Sequence, residues 1–251
     1  IHYSKLKRPF RNPHHSLSDA GLIGGGRMLL PGEITLSHNG ILFLDELPEF
    51  RRNVLEALRQ PLEEQRIVLS RGGIHQEYPA SFQLVAAMNP CPCGYFNHPT
   101  KACVCPPGQI QRYRNKVSGP LLDRIDLQVE VTPVSELDLA ARNKRGEIKN
   151  HSTLQRIKVA HSIQKQRWKD CKKINKNGQA SGADLHANCI IDAAGEKLLH
   201  LTFKRLNLSA RSYEKILKIA QTIADLDQDE KIRPSHLAEA IQYRSLDRHT
   251  I

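Results

Sequence analysis

The pattern of apolar and polar positions changes character along the chain. Residues 40–44 form an apolar run without alternation, which is typical of a strand buried on both faces. Residues 82–88 form a second run of this kind, and polar stretches and glycine turns separate the two. From about Asp192 onward the apolar positions recur at helical spacing, as in residues 213–224. The pattern predicts an α/β region followed by a helical region.

Local signals refine this division into elements. Ser135 predicts a helix over 135–143, and Ser152 or Thr153 begins another that reaches about residue 169. Three more helices are predicted over 192–205, 209–225 and 234–243. Residues 66–78 predict two strands joined at Gly72-Gly73, and residues 24–39 predict a second hairpin. Residues 175–182 (NKNGQASG) predict a flexible loop.

Composition excludes several classes of protein. The 251 residues are 39% hydrophobic, which argues against a disordered chain. No apolar run approaches the roughly 20 residues of a membrane span, and we find no secretory signal, so we expect a cytoplasmic protein without a membrane partner. The first residue is Ile, from which we expect the chain to be part of a longer protein.

The net charge of +11 is concentrated in one segment. Residues 141–180 hold twelve Lys and Arg against Glu147 and Asp170 alone. Such a segment indicates a polyanionic partner, and the alternative is a solvated helix followed by a solvated loop.

Polar side chains follow both apolar runs. Asp45 and Glu46 end the first run, and Asn89 ends the second. Acids at the carboxyl end of a buried parallel strand hold magnesium and take a proton from an attacking water in P-loop NTPases. A neighbouring amide can orient that water. The alternatives are a helix cap at Asp45-Glu46 and a plain turn at Asn89-Pro90.

Four of the six cysteines fall within fifteen residues. They form two close pairs, Cys91 with Cys93 and Cys103 with Cys105, each beside Pro and Gly. Four thiolates in two tight pairs predict a structural zinc site, with His98 as a substitute ligand. Disulfides are the alternative, although nothing indicates an oxidising compartment.

Ordered sequence blocks connect the chain to a known family. They include RPFRNPHHS (8–16), GILFLDELPEF (40–50), NPCPCG (89–94), SGPLLDRID (118–126) and LSARSY (208–213). Together they resemble the magnesium-chelatase-like AAA+ ATPases of the competence protein ComM type, across nearly the whole chain.

The resemblance implies a fold and site residues. The fold would be α/β, a partial AAA+ core of the P-loop type with three αβα layers, followed by an all-α lid. The domains would be 1–134, a basic helix and linker over 135–185, and the lid over 186–251. Asp45 and Glu46 would be the Walker B pair and Asn89 the sensor 1 residue.

Two arginines complete the implied site. Arg124 would be an arginine finger that reaches a neighbouring subunit's nucleotide, and Arg211 would be the sensor 2 residue. Asp45, Asn89 and Arg211 would then contact ATP and Mg²⁺. The alternatives are an ion pair of Arg124 with Asp123 or Asp126, and an ordinary exposed helix arginine at Arg211.

The implied activity is ATP hydrolysis coupled to DNA translocation or branch migration during recombination of incoming DNA in natural transformation. A homohexameric ring would present basic hairpins to its channel. The DNA-contacting residues predicted without sequence preference are Arg27, Arg66, Arg71, Arg156, Lys165 and Arg167. The alternatives are a chelatase-like motor that remodels a protein partner, a DNA-binding lid module without hydrolysis, and surface hairpins whose basic residues are incidental.

The chain contains no G-x-x-x-x-G-K-[ST] phosphate-binding loop. The family carries this Walker A loop before the block at residues 8–16, and a Lon-protease-like domain further upstream. We therefore expect this chain by itself neither to bind nor to hydrolyse ATP properly.

Overall fold

The computed structural model describes residues 7–133, 150–171, 174–206 and 209–244. The chain divides into two compact units, Ile1–Ile125 and Asp126–Ile251. The domain bounds predicted at 134 and 185 stay a prediction. The helix predicted over 135–143 lies outside the described residues.

The first unit combines short strands and helices. Its strands are β1 (Phe10–Arg11), β2 (Gly24–Gly25), β3 (Leu30–Pro31), β4 (Ile41–Leu44), β5 (Arg66–Arg71), β6 (Ile74–Pro79) and β7 (Gln83–Ala86). Its helices are α1 (Asp19–Ile23), α2 (Glu33–Leu36), α3 (Arg52–Ala57), α4 (Arg59–Glu64), α5 (Pro107–Arg114) and α6 (Gly119–Leu122), with a 3₁₀ turn at Leu47–Glu49.

The parallel sheet has the order β1-β4-β7, with β4 in the middle. Leu42 and Leu44 of β4 are fully buried in the core of this unit. Phe43 is only half-buried, and its ring stacks on the exposed ring of Phe10 at 6.2 Å. The prediction that this strand is buried on both faces is therefore wrong for one face. A run of four apolar residues has the same sequence pattern whether its second face is fully or only partly buried.

Both predicted hairpins are present. Strands β5 and β6 pair antiparallel from Arg66 opposite Pro79 to Arg71 opposite Ile74. Gly72 and Gly73 make the turn with φ of 55° and 80°, the positive values that a two-residue hairpin turn requires. The second hairpin is shorter than predicted, because β2 and β3 are followed at once by α2.

The second unit is helical, as predicted. Its helices are α7 (Asn150–Arg167), α8 (Gly182–Asn188), α9 (Ala193–Leu206), α10 (Ala210–Asp227) and α11 (Pro234–Gln242). Ser209 caps α10 by accepting from the Ser212 amide at 3.1 Å. The buried stripe of α10 includes Ile216, Leu217, Ala220, Ile223 and Ala224, so the helical periodicity of the sequence marks the core face.

The flexible loop predicted over 175–182 is wrong. Residues Asn177–Gln179 form a 3₁₀ turn, and Asn177 is fully buried. Its side-chain oxygen accepts from Trp168 Nε1 at 3.0 Å, and its Nδ2 donates to Asp225 at 2.7 Å. A polar and glycine-containing stretch is ordered here because buried partners satisfy its amide.

Among the described residues, none of the helices is long and apolar enough to cross a membrane.

Candidate functional site

The ends of β4 and β7 bring together the acids and the amide that the sequence singled out. Pairing continues past both strands, because Ala87 N donates to Leu44 O and Leu47 N donates to Ala87 O, each at 2.9 Å. Asp45, Glu46 and Asn89 therefore follow adjacent parallel strands at one edge of the sheet, and all three are exposed. This edge can present two carboxylates and an amide to one ligand.

Glu46 adopts an unusual backbone conformation. Its φ of 51° and ψ of 46° lie in the left-handed region, and its amide donates to Asp45 Oδ1 at 2.9 Å. Such a conformation in a non-glycine residue carries strain and often marks functional positions.

The sequence did not assign the contact that holds the Glu46 side chain. His15 Nδ1 lies 3.3 Å from Glu46 Oε2. The signal available was topological, because β1 is paired parallel to β4 and the residues that follow it reach the same sheet edge. His15 can therefore restrain the carboxylate of Glu46.

Helix α5 supports Asn89 from the side. Arg114 Nε donates to the carbonyl of Pro90 at 3.1 Å. Burial, and then the charges of Glu49 and Glu46, raise the pKa of Tyr113, and the nearby backbone amide of Asn89 opposes this rise. The amide-bearing turn is thus fixed by the last residues of α5.

Arg124 is bound within its own unit. Its Nη1 donates to Pro120 O at 2.6 Å, and its Nη2 forms an ion pair with Glu63 at 2.8 Å. The side chain is 10% exposed. The sequence offered Asp123 or Asp126 as the acidic partner, and the structure supplies Glu63, a residue 61 positions away. Its assignment as an arginine finger stays a prediction.

Arg211 belongs to the helical unit. It lies in the first turn of α10, next to buried Ser212, and is exposed. Its assignment as sensor 2 stays a prediction.

The four clustered cysteines converge, as the zinc prediction requires. Cys91 Sγ lies 3.4 Å from Cys93 Sγ and 3.7 Å from Cys103 Sγ, and the sulfurs of Cys91, Cys93, Cys103 and Cys105 all lie within 4.8 Å of one another. Tetrahedral zinc with bonds of about 2.3 Å separates its sulfur ligands by about 3.8 Å. The thiols are free rather than disulfide-bonded. His98 is absent from this group, and its Nδ1 accepts from Lys101 N at 3.1 Å.

The thiols of this cluster differ in acidity. Backbone amides at Tyr95 and Val104 donate to Cys93 and lower its pKa to about 6. Burial, and then the neighbouring thiols, raise the pKa of Cys105 to about 12. Thiolates in one cluster repel each other, so a bound cation would favour the ionisation of all four.

The predicted nucleic-acid residues divide by their surroundings. Arg27 and Arg71 are exposed at hairpin turns, and Lys165 is exposed on α7. Arg66 lies between two acids, Glu64 at 3.3 Å and Glu77 at 3.1 Å.

The two predicted arginines of α7 differ in exposure. Arg156 is 59% exposed in an ion pair with Asp227. Arg167 is 13% exposed and forms a bidentate pair with Asp225, whose side chain is fully buried. We correct its assignment, because the Arg167 guanidinium is committed to the core of the helical unit and does not offer a DNA-binding surface.

A parallel sheet with acids and an amide at its carboxyl edge, followed by a helical unit, defines an AAA+-like core with a helical C-terminal domain. Residues 2–139 match the family described as magnesium chelatase, subunit ChlI, and residues 148–244 match its C-terminal domain. The chain therefore belongs to the magnesium chelatase ChlI family.

Individual relatives cover nearly all of the chain. It is 43% identical to the uncharacterized protein YifB of Salmonella typhimurium over 244 residues, which is 96% of this chain and 46% of that protein. It is 44% identical to the competence protein ComM of Haemophilus influenzae over 242 residues, with the same two shares. The chain thus spans about half the length of these relatives.

Proposed function

We propose that this chain is the hydrolysis-sensing and lid portion of an ATP-driven motor that acts on DNA. The observation that carries the proposal is the placement of Asp45, Glu46 and Asn89 at one edge of the sheet, after paired parallel strands. The identity to a relative named as a competence protein supports uptake-linked DNA as the substrate.

The residues at this edge have distinct chemical tasks in the proposal. A magnesium ion held by Asp45 would supply charge neutralisation at the ATP phosphates. Glu46 takes a proton from the attacking water, and Asn89 orients that water. Arg124 stabilises charge in a neighbouring subunit's site after leaving Glu63, and Arg211 contacts the γ-phosphate.

DNA is bound through backbone phosphates in this proposal. The exposed hairpin residues Arg71 and Arg27 face the channel of a homohexameric ring, and Lys165 and Arg156 of the helical unit make further phosphate contacts. Such contacts bind without reading sequence. The motor drives translocation or branch migration in the cytoplasm.

The family description favours one second candidate. A magnesium-chelatase-like motor uses the same core to remodel a protein partner. The family match supports this candidate as directly as it supports the DNA motor. A module that binds DNA without hydrolysis is the remaining reading for this chain alone.

The cysteine cluster enters the proposal as a structural zinc site. Sulfur separations of 3.4–3.7 Å, close to those of a tetrahedral site, support it. Native mass spectrometry of this chain tests it, and a mass without one zinc ion per chain counts against it.

ATPase assays test the motor proposal. They use this chain joined to an upstream phosphate-binding segment, with and without single-stranded and branched DNA. We expect DNA to stimulate hydrolysis, and Glu46→Gln to abolish it because the proton acceptor is lost. Glu49→Gln is the matched control, since Glu49 is exposed three residues away and pairs with Lys116. Hydrolysis that ignores DNA would favour the chelatase-like motor.

A further inference from the structure

The four cysteines stand at the two ends of one excursion of the chain. Cys91 and Cys93 follow Asn89-Pro90 directly, and Cys103 and Cys105 directly precede the Pro106-Pro107 start of α5. Convergence of the sulfurs therefore ties the end of the β7 segment to the beginning of α5. A bound metal would crosslink residues that are 10 to 14 positions apart. It would therefore restrict this loop much as a covalent crosslink does.

The last residue of α5, Arg114, contacts the segment that follows Asn89. Arg114 Nε donates to Pro90 O at 3.1 Å, and its guanidinium lies 4.9 Å above the ring of Phe96. The amide of Phe96 in turn donates to Cys91 Sγ at 3.3 Å. Arg114 thus contacts both the carbonyl that follows Asn89 and a ring that is anchored to the cluster.

These contacts connect both ends of α5 to the segment that carries Asn89. The path runs from Asn89 through the cysteine cluster into α5, and back from Arg114 to Pro90. Cys91 is fully buried, so this part of the cluster is fixed to the body of the unit. Asn89 is exposed, so burial does not hold its side chain in place.

We propose that zinc on Cys91, Cys93, Cys103 and Cys105, acting together with Arg114, positions Asn89 at the edge of the sheet. The metal and Arg114 are positioning groups in this account, and Asn89 is the residue that meets the reacting water. The consequence for hydrolysis rests on the proposed function, whereas the positioning itself does not.

Amide hydrogen exchange measured by NMR on this chain tests the positioning. The zinc-loaded chain is compared with the chelator-treated chain, and the Asn89 backbone amide is the reporter. We expect its exchange to accelerate at least about tenfold on metal removal, while amides of α10 in the other unit stay unchanged. Unchanged exchange at Asn89, with acceleration only at residues 94–103, would mean that the metal merely staples the loop and would overturn the proposal.

A matched pair of variants separates Arg114 from the metal. Arg114→Gln removes the contacts to Pro90 and Phe96, whereas Arg112→Gln removes an exposed arginine whose Nε donates to Gly108 O in the same helix. We expect Arg114→Gln to retain one zinc and to accelerate exchange at Asn89, and Arg112→Gln to leave it at the wild-type rate. Equal rates at Asn89 in the two zinc-loaded variants would overturn the part assigned to Arg114.

A kinetic readout distinguishes positioning from simple stabilisation. In the chain joined to a phosphate-binding segment, we expect removal of zinc, with magnesium still present, to lower kcat for ATP at least about tenfold with little change in KM. In an Asn89→Ala background, metal removal should lower kcat no further, because both changes remove the same contribution. Additive losses would overturn action through Asn89. The exchange measurement involves neither ATP nor DNA, so it stands or falls separately from the motor proposal.

Discussion

Arg167 and Asp225 form a bidentate ion pair inside the helical unit. The Nη1–Oδ2 and Nη2–Oδ1 distances are 2.9 and 2.5 Å, and the Asp225 side chain is fully buried. Asn177 and Gln221 also donate to Asp225. A carboxylate with this many donors is satisfied although it is removed from water, so the pair belongs to the core.

Removal of one partner should be costly. We expect Arg167→Met to lower the free energy of unfolding by about 3–5 kcal/mol, because it leaves a buried carboxylate without its cation. Arg156→Met is the control on the same helix, and its exposed pair with Asp227 should contribute at most about 1 kcal/mol. Urea unfolding followed by Trp168, the single tryptophan of the chain, measures both. Similar losses in the two variants would contradict the buried pair.

Asn177 provides an independent test of the same network. Asn177→Ala removes the acceptor of Trp168 Nε1 and a donor to Asp225, so we expect a loss of about 1–3 kcal/mol and altered Trp168 emission. Asn175→Ala is the control, since that residue is exposed two positions away. If residues 175–182 were a flexible loop, neither variant would change the unfolding midpoint.

Elements set by local pattern were predictable from the sequence. The hairpin follows from the Gly72-Gly73 pair, which supplies the turn between two predicted strands. The α10 core face follows from apolar spacing, and its start follows from the Ser209 cap. These features depend on neighbours within a few positions, so a single sequence contains their causes.

Features set by distant partners were not predictable. Arg167 resembled the other basic residues of its segment. Its buried role comes from contacts with Asp225, 58 positions away, and with Asn177. Asn177 lies in a polar stretch that resembles a loop until Trp168 and Asp225 surround it. At the candidate site, the acids and Asn89 were found from strand-end placement, whereas the contact of His15 with Glu46 required knowledge of sheet order.

Metal binding at the cysteine cluster should depend on pH. Thiols must lose protons to bind zinc, and the pKa of Cys105 is raised to about 12 without metal, so binding releases protons and strengthens as pH rises. We expect competition with a chelator to give at least about tenfold tighter binding at pH 8 than at pH 6. Cys103→Ser should abolish this binding and Cys171→Ser, outside the cluster, should preserve it. Affinity that is independent of pH would argue against thiolate coordination.

Cys189 should be the least reactive cysteine outside the cluster. Burial raises the pKa of its thiol to about 11, so at pH 8 only about one molecule in a thousand carries the reactive thiolate. Mass spectrometry after timed iodoacetamide treatment of the zinc-loaded chain should find half-buried Cys171 alkylated well before Cys189. Alkylation of both at one rate would mean that the helical unit opens more readily than its packing implies.

The β5–β6 hairpin offers a matched test of DNA contact. Arg71 lies exposed beside the turn, whereas the charge of Arg66 on the same strand is offset by Glu64 and Glu77. We therefore expect Arg71→Gln to weaken binding of single-stranded DNA more than Arg66→Gln does. Loss of a phosphate contact should also reduce the slope of log K against log salt by about 0.7 for each contact.

Fluorescence anisotropy of labelled DNA with this chain, over a series of salt concentrations, measures the affinity and the slope. Because the two substitutions remove the same charge from one strand, a nonspecific effect of net charge would lower both affinities equally. An effect confined to Arg71 requires contact at the hairpin turn. Equal losses would remove the hairpin from the DNA-binding surface and leave Lys165 and Arg156 of α7 as its remaining candidates outside the β2–β3 turn.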